Sequence, residues 1–179
     1  MAFERITSDE VWSGRIAGVR IERFRYGDGE EVEREVVSHP GAVAVVAHDG
    51  ERIYLVRQPR EGVGEEALLE LPAGKLDEEG ESALDTAKRE LAEEIGKSAR
   101  NWEHLTRFYS SPGFSDEEIE IYLATELEDA AAEAEENERI EIEVVPLEGL
   151  DDVIASCRDG KSLVGLLWFK AYVAGARAR

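Results

Sequence analysis

Positive charge is scarce in this chain. Against 41 aspartates and glutamates stand 21 lysines and arginines, for a formal net charge of −20 over 179 residues. That imbalance argues against a nucleic-acid backbone or an anionic membrane as a partner. An anionic substrate is admitted only where local cations reverse the field. Cysteine is nearly absent too: Cys157 stands alone. No intrachain disulfide can form, and a reducing, cytoplasmic setting is the simplest expectation. The first residues, MAFERITSDEVW, contain no apolar signal core. No hydrophobic run approaches the roughly 20 residues of a membrane-spanning helix. What remains is a chain that is 42% hydrophobic, long enough to bury the core of one soluble domain.

Repeats and long linkers are also missing. Val11 to Ile16 and Gly18 to Tyr26 alternate loosely and read as strands. Gly27-Asp28-Gly29 is a hairpin turn, with Glu31 to Ser38 as the return strand. Ala42 to Ala47 is a continuous run of small apolar residues, the pattern of a strand buried on both faces. Asp49-Gly50 turns the chain into a strand over Arg52 to Gln58, and Leu68 to Leu71 forms a short strand stopped by Pro72. Ser82 to Ile95 is the clearest helix. Ser82 and Asp85 suit a capping box, and Gly96 suits its end. Residues 102–109, 118–125 and Ile140 to Val145 read as strands, with an acidic stretch from Glu126 to Arg139 whose charge favours a solvated loop. Leu147 to Cys157 and Ser162 to Ala174 read as helices. Strands with helices interspersed imply an α/β or α+β fold with a mixed sheet.

The helix carries an unusual cluster. On a helical wheel Leu84, Leu91 and Ile95 share one direction. Glu93, Glu90 and Glu94 fall at about 180°, 240° and 280° from it. The Glu90–Glu94 pair has i,i+4 spacing, roughly 5–6 Å. On an open surface such like charges cost only about 0.2–0.5 kcal/mol. In a cleft with an effective dielectric near 20 the cost rises to about 3 kcal/mol. A partly buried triad therefore needs cations, and clustered anionic oxygens select hard metals such as Mg²⁺ or Mn²⁺. The competing reading is a solvated acidic face. Arg89, next to Glu90, can hold one carboxylate by bidentate contact and leave the others for metal.

The neighbours decide between these readings. Leu71-Pro72-Ala73-Gly74-Lys75 leads to Glu81, and after seven further residues comes Arg89-Glu90-Leu91-Ala92-Glu93-Glu94-Ile95-Gly96. This resembles the Nudix box, the signature of the Nudix hydrolases. The family pattern is Gly, five residues, Glu, seven residues, then Arg-Glu-aliphatic-any-Glu-Glu-any-Gly-aliphatic. Here six residues separate Gly74 from Glu81, and Lys97 takes the place of the last aliphatic residue. The resemblance implies an α/β/α sandwich with a strand–loop–helix metal site. It implies Mg²⁺, or Mn²⁺ as a substitute, held by Glu90, Glu94 and the Ala73 carbonyl. Glu93 would add a ligand or orient a water, with Arg89 and Glu81 supporting the set. The reaction implied is attack of water on a nucleoside diphosphate linked to another group.

Further stretches resemble the ADP-ribose pyrophosphatase subfamily. Pro112, in Ser111-Pro112-Gly113-Phe114-Ser115, lies sixteen residues past Gly96. His39-Pro40-Gly41-Ala42-Val43 and Val56-Arg57-Gln58-Pro59-Arg60 resemble strand segments of that subfamily, although Pro59 stands where tyrosine is common. The subfamily implies substrate contacts from Arg57, Arg60, Pro112 and Phe114, and stacking on adenine by Trp12, Phe24 or Tyr26. It implies a general base from the acidic loop, Glu138 first and Glu136 second. It also implies a homodimer that exchanges N-terminal strands, with residues of both chains lining the adenosine pocket; residues 1–40 would not be an independent domain, and 41–179 would be the hydrolase domain. A nucleotide sugar such as GDP-mannose, or a catalytically silent nucleotide-binding module, are the alternatives. Gly96-Lys97-Ser98 and Gly160-Lys161-Ser162 echo a P-loop but lack its first glycine. His39, His48 and His104 show no metal or triad spacing.

Overall fold

The computed structural model describes residues 2–131 and 139–177. The chain divides into two compact units, Met1–Gly41 with Phe108–Glu118, and Ala42–Arg107 with Ile119–Arg179. The first holds an antiparallel sheet of β1 (Phe3–Ser13), β2 (Gly18–Tyr26) and β3 (Glu31–Ser38), in that order. The sequence places the first strand at Val11, but it starts at Phe3. Every residue of β1 is exposed, so no buried face left an alternating pattern to read. The hairpin turn is where the glycines placed it, with Gly29 at a φ of 90° that side chains resist. Glu22 is buried in this sheet and is held by Arg5 at 3.0 Å, Arg20 at 3.2 Å and the Ser8 hydroxyl at 3.0 Å. The loop around Pro112 is tied to β3: the Val37 N–H donates to the Phe114 carbonyl at 2.7 Å, and the Asp116 N–H donates to the Val37 carbonyl at 3.1 Å.

The remaining elements, all but the outer ends of β8 and β9 in the second unit, are in chain order β4 (Ala42–His48), β5 (Arg52–Arg60), β6 (Glu65–Glu70), β7 (Ala73–Lys75), α1 (Ala83–Ile95), β8 (Lys97–Tyr109), β9 (Glu118–Asp129), β10 (Glu141–Pro146), α2 (Leu150–Ser156) and α3 (Gly160–Arg177). The sheet order is β10-β5-β4-β9-β8, with β6 paired to β5 and β7 to β4. Strands β4 and β9 run parallel, whereas β5 is antiparallel to both β4 and β10. The sheet is therefore mixed, and β4 is at its centre.

The β4 run explains the layering. Val43, Val45 and Ala47 point to one face, where they join Tyr54, Val56 and the α1 residues Ala87, Leu91 and Ile95 in one buried cluster. Alternate residues point to the other face, where Val46 meets α3 at Gly165 and His48 packs on Phe169 at 4.9 Å. Ile53 and Leu55 face Leu150, Val153 and Leu166 there. Burial on both faces is what the small apolar run requires, and the result is an α/β/α sandwich.

One departure from the sequence reading has an electrostatic cause. Strand β9 continues through Glu126–Asp129, where charge suggested a solvated loop. Across the sheet β8 supplies the counterions: Lys97 Nζ meets Asp129 at 2.6 Å, and Arg100 pairs with Glu128. The same Lys97, in place of an aliphatic residue, lies 5.7 Å from the centre of the Tyr54 ring. Its ammonium thus serves both the ring face and the Asp129 carboxylate.

Candidate active site

Helix α1 begins and ends as its sequence dictates. Ser82 Oγ accepts the Asp85 N–H at 3.1 Å, and Gly96 adopts a left-handed φ of 63° to close the last turn. Its apolar stripe packs on β4 and β5, which turns the carboxylate arc away from the core. Glu90 and Glu93 are half-buried on that arc. Glu94, at the border of the stripe, is buried at 7% exposure, as its wheel position requires.

Arg89 organises the arc. Its Nε and Nη2 donate to the two oxygens of Glu81 at 3.2 and 3.1 Å, a fork-to-fork pair. Its Nη1 donates to Glu90 at 2.8 Å and to Glu93 at 2.9 Å. Thr86 donates its hydroxyl to Glu81 at 2.9 Å. The hydrogen bond from Arg89, then that from Thr86, holds the Glu81 carboxyl below the usual range despite some desolvation. Glu81, with its neighbours, raises the Arg89 guanidinium in turn. The extra residue before Glu81 leaves this contact intact. In the turn between β7 and α1, Gly80 takes a φ of 83° and the Glu81 N–H donates to the Glu78 carbonyl at 3.2 Å.

The segment after β6 meets the helix. The Ala73 N–H donates to Glu94 Oε2 at 3.0 Å. Gly74 lies under the Glu90 side chain so closely that a Cβ there would come 2.0 Å from Oε1 and 2.4 Å from Cγ. Only a residue without a side chain leaves Glu90 its place. Among the described residues no three acidic or imidazole side chains converge into a closed metal cage; Glu90 and Glu93 are turned to Arg89 instead. The donor set still fits a hard divalent cation. It offers carboxylate oxygens on consecutive turns, with the Ala73 and Arg89 N–H groups orienting them.

The remaining expected site residues fall in several places. Arg60 is paired with Glu70 at 2.5 and 2.7 Å. The Glu70 hydrogen bond, foremost, and the charge of Glu94 raise its guanidinium. Arg57 pairs with Glu143 and donates to the Ala67 carbonyl at 3.2 Å. It borders a cleft of about 630 Å³ with Gln58, Glu66, Arg139 and Glu141, and none of Glu90, Glu93 or Glu94 lines that cleft. In the other unit, Pro112 and Phe114 wall a cavity of about 310 Å³ together with Phe3, Phe24 and Tyr26. Trp12 is not in that wall; its ring lies over Gly14, where a Cβ would come within 2.2 Å. Glu136 and Glu138 lie outside the described residues.

Sequence reasoning passed over Glu70. Its side chain is fully buried, clamped by Arg60 and Lys161. Burial alone would raise its carboxyl, but the hydrogen bonds and charges of Arg60 and Lys161 leave it below the usual range. The available signal was a lone acid inside the otherwise apolar Leu68-Leu69-Glu70-Leu71-Pro72, since a buried charge implies a buried partner.

Comparison with known proteins gives the family. Residues 37–160 match the family model described as NUDIX domain. An ADP-ribose pyrophosphatase of Bacillus subtilis (strain 168) is 41% identical over 146 residues, 80% of this chain and 78% of that protein. A methanol dehydrogenase activator of Bacillus methanolicus is 36% identical over 170 residues, 92% and 91% of the two chains. A solved structure titled as an ADP compounds hydrolase superposes with a TM-score of 0.85 at 21% identity, covering 98% of this chain and 96% of that one. At that identity the superposition speaks for the fold. No described helix is long and apolar enough to cross a membrane.

Proposed function

The chain belongs to the NUDIX domain family, and from that premise we propose that it hydrolyses the diphosphate of ADP-ribose, giving AMP and ribose 5-phosphate. The observation that carries the reaction is the acidic edge of α1: Glu90 over Gly74, Glu94 on the Ala73 N–H, and Arg89 braced by Glu81. The adenosine-linked substrate is supported by the relative named for it and by Pro112 at the subfamily spacing.

In this reading Glu90, Glu94 and the Ala73 carbonyl would hold Mg²⁺, with Glu93 as a further ligand or water-orienting group and Mn²⁺ as a working substitute. When bound, the ion supplies neutralisation of the diphosphate and a lowered pKa for water. The chain's own groups do the rest. Water adds to one phosphorus, its proton passes to a carboxylate base, and the bond from that phosphorus to the bridging oxygen breaks with the electron pair leaving on the second phosphate. Glu138, and after it Glu136, is proposed as the base on sequence position alone. Arg89 spreads its donors over Glu81, Glu90 and Glu93 and so keeps three negative groups together until substrate arrives. Arg60 and Arg57 are proposed as cations facing the phosphates. Pro112 and Phe114 are proposed as substrate contacts because they wall a cavity with aromatic sides, a surface on which a planar base stacks.

A homodimer through β1 belongs to the same proposal. Strand β1 is an edge of its sheet, exposed along its whole length, and Phe3, Val11 and Trp12 are each more than half exposed. A long edge strand with apolar side chains invites pairing with another strand, and a second copy offers one. A cytoplasmic location and the absence of nucleic-acid or membrane partners are the corresponding proposals from charge and the single cysteine.

The substrate is tested by incubating the protein with Mg²⁺ and ADP-ribose, GDP-mannose, NADH or deoxynucleoside triphosphates and quantifying the monophosphates released. ADP-ribose is expected to give AMP with a kcat/KM at least about tenfold above the others, which is about 1.4 kcal/mol of transition-state preference. Fast GDP-mannose cleavage beside slow ADP-ribose cleavage would overturn the substrate, and no turnover on any of them would favour a binding module.

A further inference from the structure

The run Gly160-Lys161-Ser162, which only echoes a P-loop, opens α3 and has a different use. Asp159 caps the helix. Its Oδ2 accepts from the Ser162 N–H at 3.0 Å and from the Ser162 hydroxyl at 2.5 Å, and its carbonyl accepts the Leu163 N–H at 2.9 Å. With its proton directed at Asp159, Ser162 Oγ presents its lone pairs elsewhere. The Leu71 N–H donates to it at 2.7 Å. Ser162 is 1% exposed and Leu71 fully buried, so water cannot take over either role. One turn along the same helix, Gly165 lies against the Leu71 side chain, and a Cβ there would come within 2.6 Å of Cδ1. Helix α3 thus grips Leu71 by backbone and by side chain from one face.

Leu71 sits in a run whose every member is anchored. Glu70 before it is clamped by Arg60 and Lys161. The Pro72 carbonyl accepts the Val45 N–H at 2.8 Å. The Ala73 N–H holds Glu94, and Gly74 lies under Glu90. Proline at 72 removes one of the torsions between Leu71 and Ala73, the Leu71 side chain is seated against Gly165, and the Pro72 carbonyl on Val45 belongs to the same peptide as the Ala73 N–H, so a displaced Leu71 strains the Ala73 peptide. We propose that Ser162 is a positioning residue for the cation site: oriented by Asp159, it fixes the Leu71 peptide and, through Pro72, the Ala73 group that holds Glu94. This rests on the reading of Glu90 and Glu94 as cation ligands. Sub-ångström placement of ligands depends on such supporting contacts, and losing one typically weakens metal binding by about 10- to 100-fold.

The test is direct Mn²⁺ binding to the full chain without substrate, read from the electron paramagnetic resonance signal of free Mn²⁺. Ser162→Ala is expected to raise the Mn²⁺ dissociation constant about tenfold and to raise the Mg²⁺ concentration for half-maximal ADP-ribose hydrolysis by the same factor. Val153→Ala, on α2, supplies a comparable loss of core packing and is expected to lower Tm without moving Mn²⁺ affinity. Should Ser162→Ala not fold, Asp159→Asn, which keeps an oxygen for Ser162 but not its charge, is expected to weaken Mn²⁺ binding in the same direction. Wild-type Mn²⁺ affinity in the folded Ser162 or Asp159 variant, or an equal loss in Val153→Ala, overturns the positioning role. Glu94→Gln separates the two levels: if it loses Mn²⁺ while Ser162→Ala does not, the positioning role alone fails. If Glu94→Gln also binds as wild type does, the cation-site reading beneath it fails.

Discussion

Replacing Glu94 by glutamine is expected to lower kcat/KM for ADP-ribose by at least about a thousandfold, roughly 4 kcal/mol of transition-state stabilisation, while the protein stays folded. The two halves of this outcome come from different atoms. Glu94 is buried and accepts the Ala73 N–H at 3.0 Å. The glutamine carbonyl can accept that same hydrogen bond in nearly the same volume, so packing against α1 and β7 is kept. What disappears is the negative charge, and with it the hard anionic ligand and the field that Arg60 feels from this position. Steady-state kinetics at saturating Mg²⁺ and a thermal melt read the two halves separately. A fall of less than about tenfold, or about 1.4 kcal/mol, would mean that Glu94 is only a capping group for the Ala73 peptide.

Gly74→Ala tests the same edge from beneath. The added Cβ would come 2.0 Å from Glu90 Oε1, 2.1 Å from Cδ and 2.4 Å from Cγ, so the Glu90 side chain has to leave its place. The atoms that must move are the far part of a flexible, half-buried side chain, and the loss of stability should stay near about 1 kcal/mol, at the low end for overpacking. Activity should suffer far more, by about a hundredfold, because misplacement of an ångström at a reacting centre costs that much. The split between a nearly unchanged Tm and a collapsed rate is the signature. Adding Glu90→Gln to Gly74→Ala is expected to cost little more, since both changes act on the one Glu90 carboxylate. Additive losses would show that Gly74 serves something other than Glu90.

The arrangement of the candidate site was more legible than the surrounding fold because its residues are local in sequence. Glu90, Glu93 and Glu94 share an arc that helical periodicity alone fixes, and the border position of Glu94 foretold its burial. The cap at Ser82 and the stop at Gly96 are equally local. The central strand was readable because Ala42–His48 is apolar on both faces. What escaped notice depends on partners distant in the chain. Strand β1 has no buried face and so no pattern, and it is defined only by hydrogen bonding to β2. The acidic end of β9 looked like a loop because its counterions, Lys97 and Arg100, come from another strand. Glu70 looked like an ordinary strand residue, and its partner Lys161 lies 91 positions away. Bonds of that span leave no periodicity behind, so Ser162 read as a failed P-loop instead of the clasp on Leu71.

The most direct measurement is anomalous diffraction from a crystal soaked with Mn²⁺ and a non-hydrolysable ADP-ribose analogue. The expected result is an anomalous peak within about 2.5 Å, the outer range for hard-cation oxygen ligands, of carboxylate oxygens of both Glu90 and Glu94, with the analogue's diphosphate on the opposite side of the ion. A diphosphate bound with no anomalous density at α1 would contradict it.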